Sequence, residues 1–121
     1  MTSQSLRILV VEDEMMIAFF IEDSLTALGH TVVGPASRVA NAHRLVETET
    51  FDLALLDINV AGEEIYPVAN ALKARGIPFV FLSGYGRHGL RGEWSDSPML
   101  AKPFTVEDLN ATLETISVTV D

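Results

Sequence analysis

Short apolar runs alternate along the chain with stretches whose apolar residues recur at helical spacing. Leu6 to Val11 is apolar and ends in Glu12-Asp13-Glu14; Ile17, Ile21, Leu25 and Leu28 then follow every three or four residues until Gly29. That order predicts a buried strand, a helix and a glycine stop. Thr31 to Val33 is β-branched and reads as a second strand closed by Gly34-Pro35, and Ser37 to Thr48 as a helix with Val39, Ala42 and Val46 on one face. Leu53 to Leu56 is a third apolar run, ending at Asp57, and a loop containing Gly62 follows it. Ile65, Val68, Ala69 and Leu72 then have i, i+3, i+4, i+7 spacing, with Pro67 near the helix start and Gly76 after its end. Phe79 to Leu82 and Met99 to Ala101 are predicted as strands four and five. Thr105-Val106-Glu107-Asp108 has the form of a capping box for a last helix that buries Val106, Leu109, Leu113 and Ile116, with Phe104 positioned to staple onto Leu109. Between strands four and five, Tyr85 to Ser97 contains Gly86, Gly89 and Gly92 and little apolar periodicity, so the helix due there should be short, frayed or absent.

Five short apolar strands alternating with helices predict an α/β fold: a parallel, doubly wound, flavodoxin-like sheet with helices on both faces. A length of 121 residues suits a single domain spanning 1–121. Hydrophobic residues make up 48% of the chain, enough for a core, but no apolar run approaches the ~20 residues of a membrane span. A net charge of −9, with only eight Lys and Arg, argues against a nucleic-acid surface. The absence of cysteine excludes disulfides and thiolate chemistry and fits a cytoplasmic location.

In an open parallel sheet, ligands bind beyond the carboxyl ends of the strands where the strand order reverses. Strand one ends in Glu12 and Asp13, strand three in Asp57, strand four in Ser83 and strand five in Lys102. All these ends fall on one edge, so three carboxylates, a hydroxyl and an ammonium should converge. Crowded carboxylates call for a cation, and Mg²⁺ commonly takes one or two carboxylates with waters and phosphate oxygens. An ionised Asp can attack phosphorus, and a lysine and a metal can neutralise the charge that collects.

Four segments carry a resemblance: Ile-Leu-Val-Val-Glu-Asp-Glu (8–14), Leu-Ala-Leu-Leu-Asp-Ile-Asn (53–59), Phe-Leu-Ser-Gly-Tyr (81–85) and Leu-Ala-Lys-Pro-Phe (100–104). From Leu6 to about Val118 the chain resembles a response-regulator receiver (CheY-like) domain, and Phe81 to Tyr85 is similar to the divergent receivers called the FATGUY group. The resemblance implies strand order 2-1-3-4-5 and a mobile fourth helix. It implies that Asp57 accepts a phosphoryl group and that Asp13, with Glu12 beside it, holds Mg²⁺ (or Mn²⁺) directly or through water. Asn59 matches the backbone carbonyl that ligates the metal, Ser83 the hydroxyl that turns toward the phosphoryl group, and Lys102 the cation that contacts it, in a Lys102–Pro103 bond that is often cis. Receivers usually carry Tyr or Phe as a rotamer switch where Met99 stands here; Tyr85 is the candidate substitute. The implied partners are a sensor histidine kinase or histidine-phosphotransfer protein and an unidentified downstream protein. With no output domain in the sequence, signalling by protein–protein contact, or service as a phosphate shuttle or sink, is expected.

Two rival readings accompany this one: a small phosphatase with an aspartate nucleophile, against which Asn59 stands where such enzymes carry a second carboxylate, and a docking pseudo-receiver that is never phosphorylated. A flavin-binding domain is a third, weakened by the lack of a Ser/Thr/Gly-rich loop after strand one. His30, His43 and His88 show no ligand spacing and read as surface or packing residues; Trp94 reads as an anchor for its irregular loop. Met15, Met16, Phe19 and Phe20 make the first helix apolar beyond one stripe, either for the core or for a docking partner.

Overall fold

A computed structural model of the protein describes residues 5–116. The strand at Arg7–Val11 (β1) leads to the helix Met15–Ala27 (α1), then Thr31–Ala36 (β2), Val39–Thr48 (α2) and Leu53–Asp57 (β3). A small hairpin, Asn59–Val60 (β4) and Glu63–Glu64 (β5), precedes Tyr66–Ala74 (α3), Phe79–Ser83 (β6), Met99–Ala101 (β7) and Val106–Thr115 (α4). β1, β2, β3, β6 and β7 form a parallel sheet in the order β2-β1-β3-β6-β7. With the hairpin set aside, this is the 2-1-3-4-5 order expected from the sequence.

Strand periodicity divides the core. Leu9, Val11, Ala54, Leu56 and Phe81 point to one face and pack with Ala42 and Val46 of α2 and Val68, Ala69 and Leu72 of α3. Their neighbours Ile8, Val10, Leu53, Leu55, Val80 and Leu82 point to the other, against Ile21 and Leu25 of α1 and Leu109 and Leu113 of α4. Both faces of β3 are therefore covered, which is why it reads as a continuous apolar run and not as an alternating one. α4 starts at the predicted capping box: Asp108 N–H donates to Thr105 Oγ1, and Thr105 N–H donates to the Asp108 carboxylate, both at 3.0 Å. Phe104 and Leu109 share one apolar cluster below it.

Two expectations change. β2 does not end at Gly34-Pro35 but runs on to Ala36 through an irregularity in its register with β1. It is an edge strand, where proline is tolerated. Gly34 has φ +98, and a Cβ there would lie 2.8 Å from the Ala36 amide nitrogen, so the bend requires glycine. The loop after β3 contains the β4–β5 hairpin, turned by Ala61 (φ +52) and Gly62 (φ +84). Between β6 and β7, as the glycines predicted, there is no α-helix; two 3₁₀ turns, Gly86–Gly89 and Gly92–Trp94, take its place.

Trp94 anchors this segment as expected. It is buried, stacks on Tyr66 with ring centroids 5.8 Å apart, and meets Phe79 and Phe81 at 5.9 and 5.7 Å. His30 is buried, and its Nδ1 accepts the Leu6 N–H at 3.1 Å, while burial lowers its pKa. His43 is half-buried and His88 exposed.

Candidate functional site

The carboxyl ends of the central strands meet in one acidic notch. β1 delivers Glu12 and Asp13, and its neighbour β3 delivers Asp57, at the point where the chain's strand order reverses. One carboxylate oxygen from each of the three lies within 4.8 Å of the others. Lys102, one residue beyond β7, reaches across: its Nζ is 2.9 Å from Glu12 Oε1 and 3.3 Å from Asp57 Oδ1. Its backbone N–H donates to the Ser83 carbonyl at 2.8 Å, which ties the β6 and β7 ends together. The Lys102–Pro103 bond is cis.

Charge decides what this notch wants. Three carboxylates against one ammonium leave two negative charges uncompensated when all are ionised. The Glu12 side chain is fully buried. Burial, and next the Glu12 charge, push the Asp57 carboxyl up to about 7, against the opposing pull of Lys102. Burial pulls the Lys102 ammonium down, but its close pairing with Glu12 and the charges of Asp57 and Glu12 outweigh this and leave its pKa raised. Glu12 Oε1, though close to Nζ, has no well-directed hydrogen bond. An under-satisfied buried oxygen and an excess charge of two suit a hard divalent cation with oxygen ligands. Glu12, Asp13 and Asp57 are the side chains that would hold it.

Asp13 also braces the neighbouring hairpin, and the remaining sequence-picked residues make contacts of their own. Asp13 Oδ2 accepts the Ala61 N–H at 2.9 Å, so the hairpin is pinned to the notch and Ala61 is held at positive φ. Asn59 is exposed, and its side-chain oxygen accepts the Gly62 N–H at 3.0 Å, so the side chain braces the hairpin. Ser83 is buried at the end of β6, with its hydroxyl donating to the Gly86 carbonyl at 2.8 Å and accepting the Tyr85 N–H at 3.1 Å. Tyr85 is 81% exposed, whereas Met99 is half-buried against the α2–α3 core.

Sequence reasoning missed Ala61 and Tyr66, whose hydroxyl donates to the Gly89 carbonyl at 3.2 Å. Neither sits in a motif, and Ala-Gly is not a strong hairpin pair. The only early signal was Gly62. On the other side of the notch, Met15, Met16, Phe19 and Phe20 of α1 are exposed, which settles the choice between core and surface left open by the sequence. Met16, Ile17 and Phe20 line a groove with Lys102, Pro103 and Phe104, so apolar surface runs up to the acidic cluster.

Residues 8–114 match the response regulator receiver domain. The chain belongs to that family. Receivers are signalling domains and not a catalytic family. Among solved structures, SdrG from Sphingomonas melonis Fr1 is 43% identical with a TM-score of 0.83, over 93% of this chain and 96% of that one. The BeF₃-activated conformation of SdrG from Pseudomonas melonis Fr1 is likewise 43% identical, with a TM-score of 0.79 over 93% of this chain and 97% of that one. The response regulator PhyR from Brucella abortus is 31% identical with a TM-score of 0.81, over 91% of this receiver and 46% of that chain. The phyllosphere-induced regulator PhyR of Methylorubrum extorquens is 33% identical over 110 residues, 88% of this chain and 41% of that protein. This receiver spans about half the length, 41% to 55%, of the first curated relatives it matches. No helix among the described residues is long and apolar enough to cross a membrane.

Proposed function

We propose that this receiver accepts a phosphoryl group on Asp57 from a phosphohistidine-bearing kinase or phosphotransfer protein, in a Mg²⁺-dependent reaction. The observation that carries the reading is the notch itself: a buried Asp57 among two further carboxylates and one lysine, at the strand ends of a receiver fold. An Asp57 oxygen attacks phosphorus as the P–N bond breaks, and the imidazole leaves as the neutral ring after protonation from solvent. A carboxyl pushed up to about 7 is half-protonated near neutral pH and a poor nucleophile. Glu12, Asp13, Asp57 and the Asn59 backbone carbonyl would hold Mg²⁺ (or Mn²⁺), whose positive charge would keep Asp57 ionised and steady the phosphoryl oxygens. Lys102 offsets charge on the acceptor, and Ser83 donates to a phosphoryl oxygen.

The exposed apolar face of α1 and the groove beside Lys102 support docking of the phosphodonor next to the acceptor. Phosphorylation then biases a surface around β6, β7 and the turns between them, with Tyr85 and Met99 as candidate reporters, and a downstream protein reads it. A cytoplasmic setting goes with this reading.

The test is treatment with acetyl phosphate and Mg²⁺ followed by intact-mass measurement. A labile phosphoryl adduct on the wild type, absent from Asp57→Asn, is the expected result. No adduct would leave a docking module that signals without phosphorylation, and turnover of unrelated phosphate esters would indicate a phosphatase. Mg²⁺ should also raise the melting temperature of the wild type and do so less in Asp13→Asn. An equal response in the variant would move the metal away from Asp13.

A further inference from the structure

The hydroxyl of Ser83 has a single proton, and in this structure it is committed to the Gly86 carbonyl. The Gly86–Gly89 turn presses back on that hydroxyl. A Cβ at Gly89 would lie 2.5 Å from Ser83 Oγ and 3.2 Å from Ile58 Cδ1, so only a bare backbone packs this closely. The far end of the turn is tied by the Tyr66 hydroxyl, which donates to the Gly89 carbonyl. Tyr66 has little freedom to aim elsewhere. Its ring is buried, stacked on Trp94 with an interplanar angle of 9°, and set edge-on to Phe81 at 5.9 Å.

We propose that Tyr66 is a positioning residue that latches the Gly86–Gly89 turn over Ser83 and so holds the acceptor site in its resting arrangement. This rests on the phosphoacceptor reading above. A phosphoryl group on Asp57 can receive the Ser83 proton only if the Ser83–Gly86 bond breaks. The turn then loses its near tether, and the Tyr66–Gly89 bond remains to hold its far end. Closed turn and bound group are competing states. Whatever stabilises the closed turn must weaken binding of the group by the same factor.

Beryllofluoride with Mg²⁺ is a suitable probe, because it stands in for the phosphoryl group without turnover. Tyr66→Phe keeps the ring and its stacking and removes only the tether. The full chain carrying Tyr66→Phe should bind beryllofluoride about two- to tenfold more tightly than wild type, the range of one lost hydrogen bond. Without the probe, amides of residues 86–90 should exchange faster in the variant. A merely structural role would loosen the site and weaken binding. Unchanged or weaker binding in Tyr66→Phe, with the wild type binding normally, overturns the latch and leaves the phosphoacceptor reading intact. If wild type binds the probe no better than Asp57→Asn, the phosphoacceptor reading falls and the latch with it. Gly89→Ala is a second variant that leaves Tyr66 in place. Its Cβ should drive the turn off Ser83, tightening probe binding in the same direction; weakened binding there also counts against the latch.

Discussion

Lys102 Nζ lies 2.9 Å from Glu12 Oε1, an ammonium with 14% of its side chain exposed beside a carboxylate with none. Each charge offsets the other where water has little access, and Asp57 adds a second negative neighbour 3.3 Å from the same nitrogen.

Lys102→Met should therefore destabilise the metal-free protein by about 3–5 kcal/mol, the range for stripping one partner from a buried pair. Mg²⁺ should recover more stability in the variant than in wild type, because the cation then offsets the whole cluster. Urea unfolding in EDTA and in Mg²⁺ measures both. If the two proteins unfold together in EDTA, Lys102 contributes no charge balance to the notch.

The raised pKa of Asp57 sets a pH dependence of definite sign. Between its ordinary value of 3.8 and about 7, the folded protein keeps a proton that the unfolded chain has released. Stability without metal should fall as pH rises through that window, by at most about 4 kcal/mol for a shift of this size. Asp57→Asn should remove this slope, and saturating Mg²⁺ should flatten it in the wild type. Denaturant unfolding in EDTA from pH 4.5 to 7.5 compares the two; parallel curves would contradict a proton held on Asp57.

Trp94 joins the turns between β6 and β7 to α3 and the sheet. Trp94→Ala should cost about 3–5 kcal/mol, as large aromatic truncations in a core do. It should also expose the Arg91 peptide to trypsin faster than global unfolding accounts for, since Arg91 lies over the Tyr66 ring and pairs with Glu64 beside it. Cleavage no faster than in wild type would mean the turns are held by other contacts.

Some of this was legible before any coordinates. Strand alternation assigned Leu9 and Ile8, or Ala54 and Leu55, to opposite faces, and the polar residues closing strands one, three and five predicted the meeting of Glu12, Asp13, Asp57 and Lys102. The glycines of Tyr85 to Ser97 foretold the missing helix. Other features gave no such signal. The Gly34-Pro35 pair looked like a strand end but lies within an edge strand. The β4–β5 hairpin turns on Ala61, whose positive φ is held by Asp13, a residue 48 positions away.

What the sequence determined by itself is the parallel sheet and the membership of its acidic edge, because side-chain period and strand direction are local properties that survive any detail of packing. Tertiary structure alone decided that Glu12 is buried, that the Ser83 proton points into the Gly86 turn, and that the Tyr66 hydroxyl meets Gly89. Burial and the aim of a hydroxyl are set by atoms arriving from distant segments, and no periodicity along the chain records them.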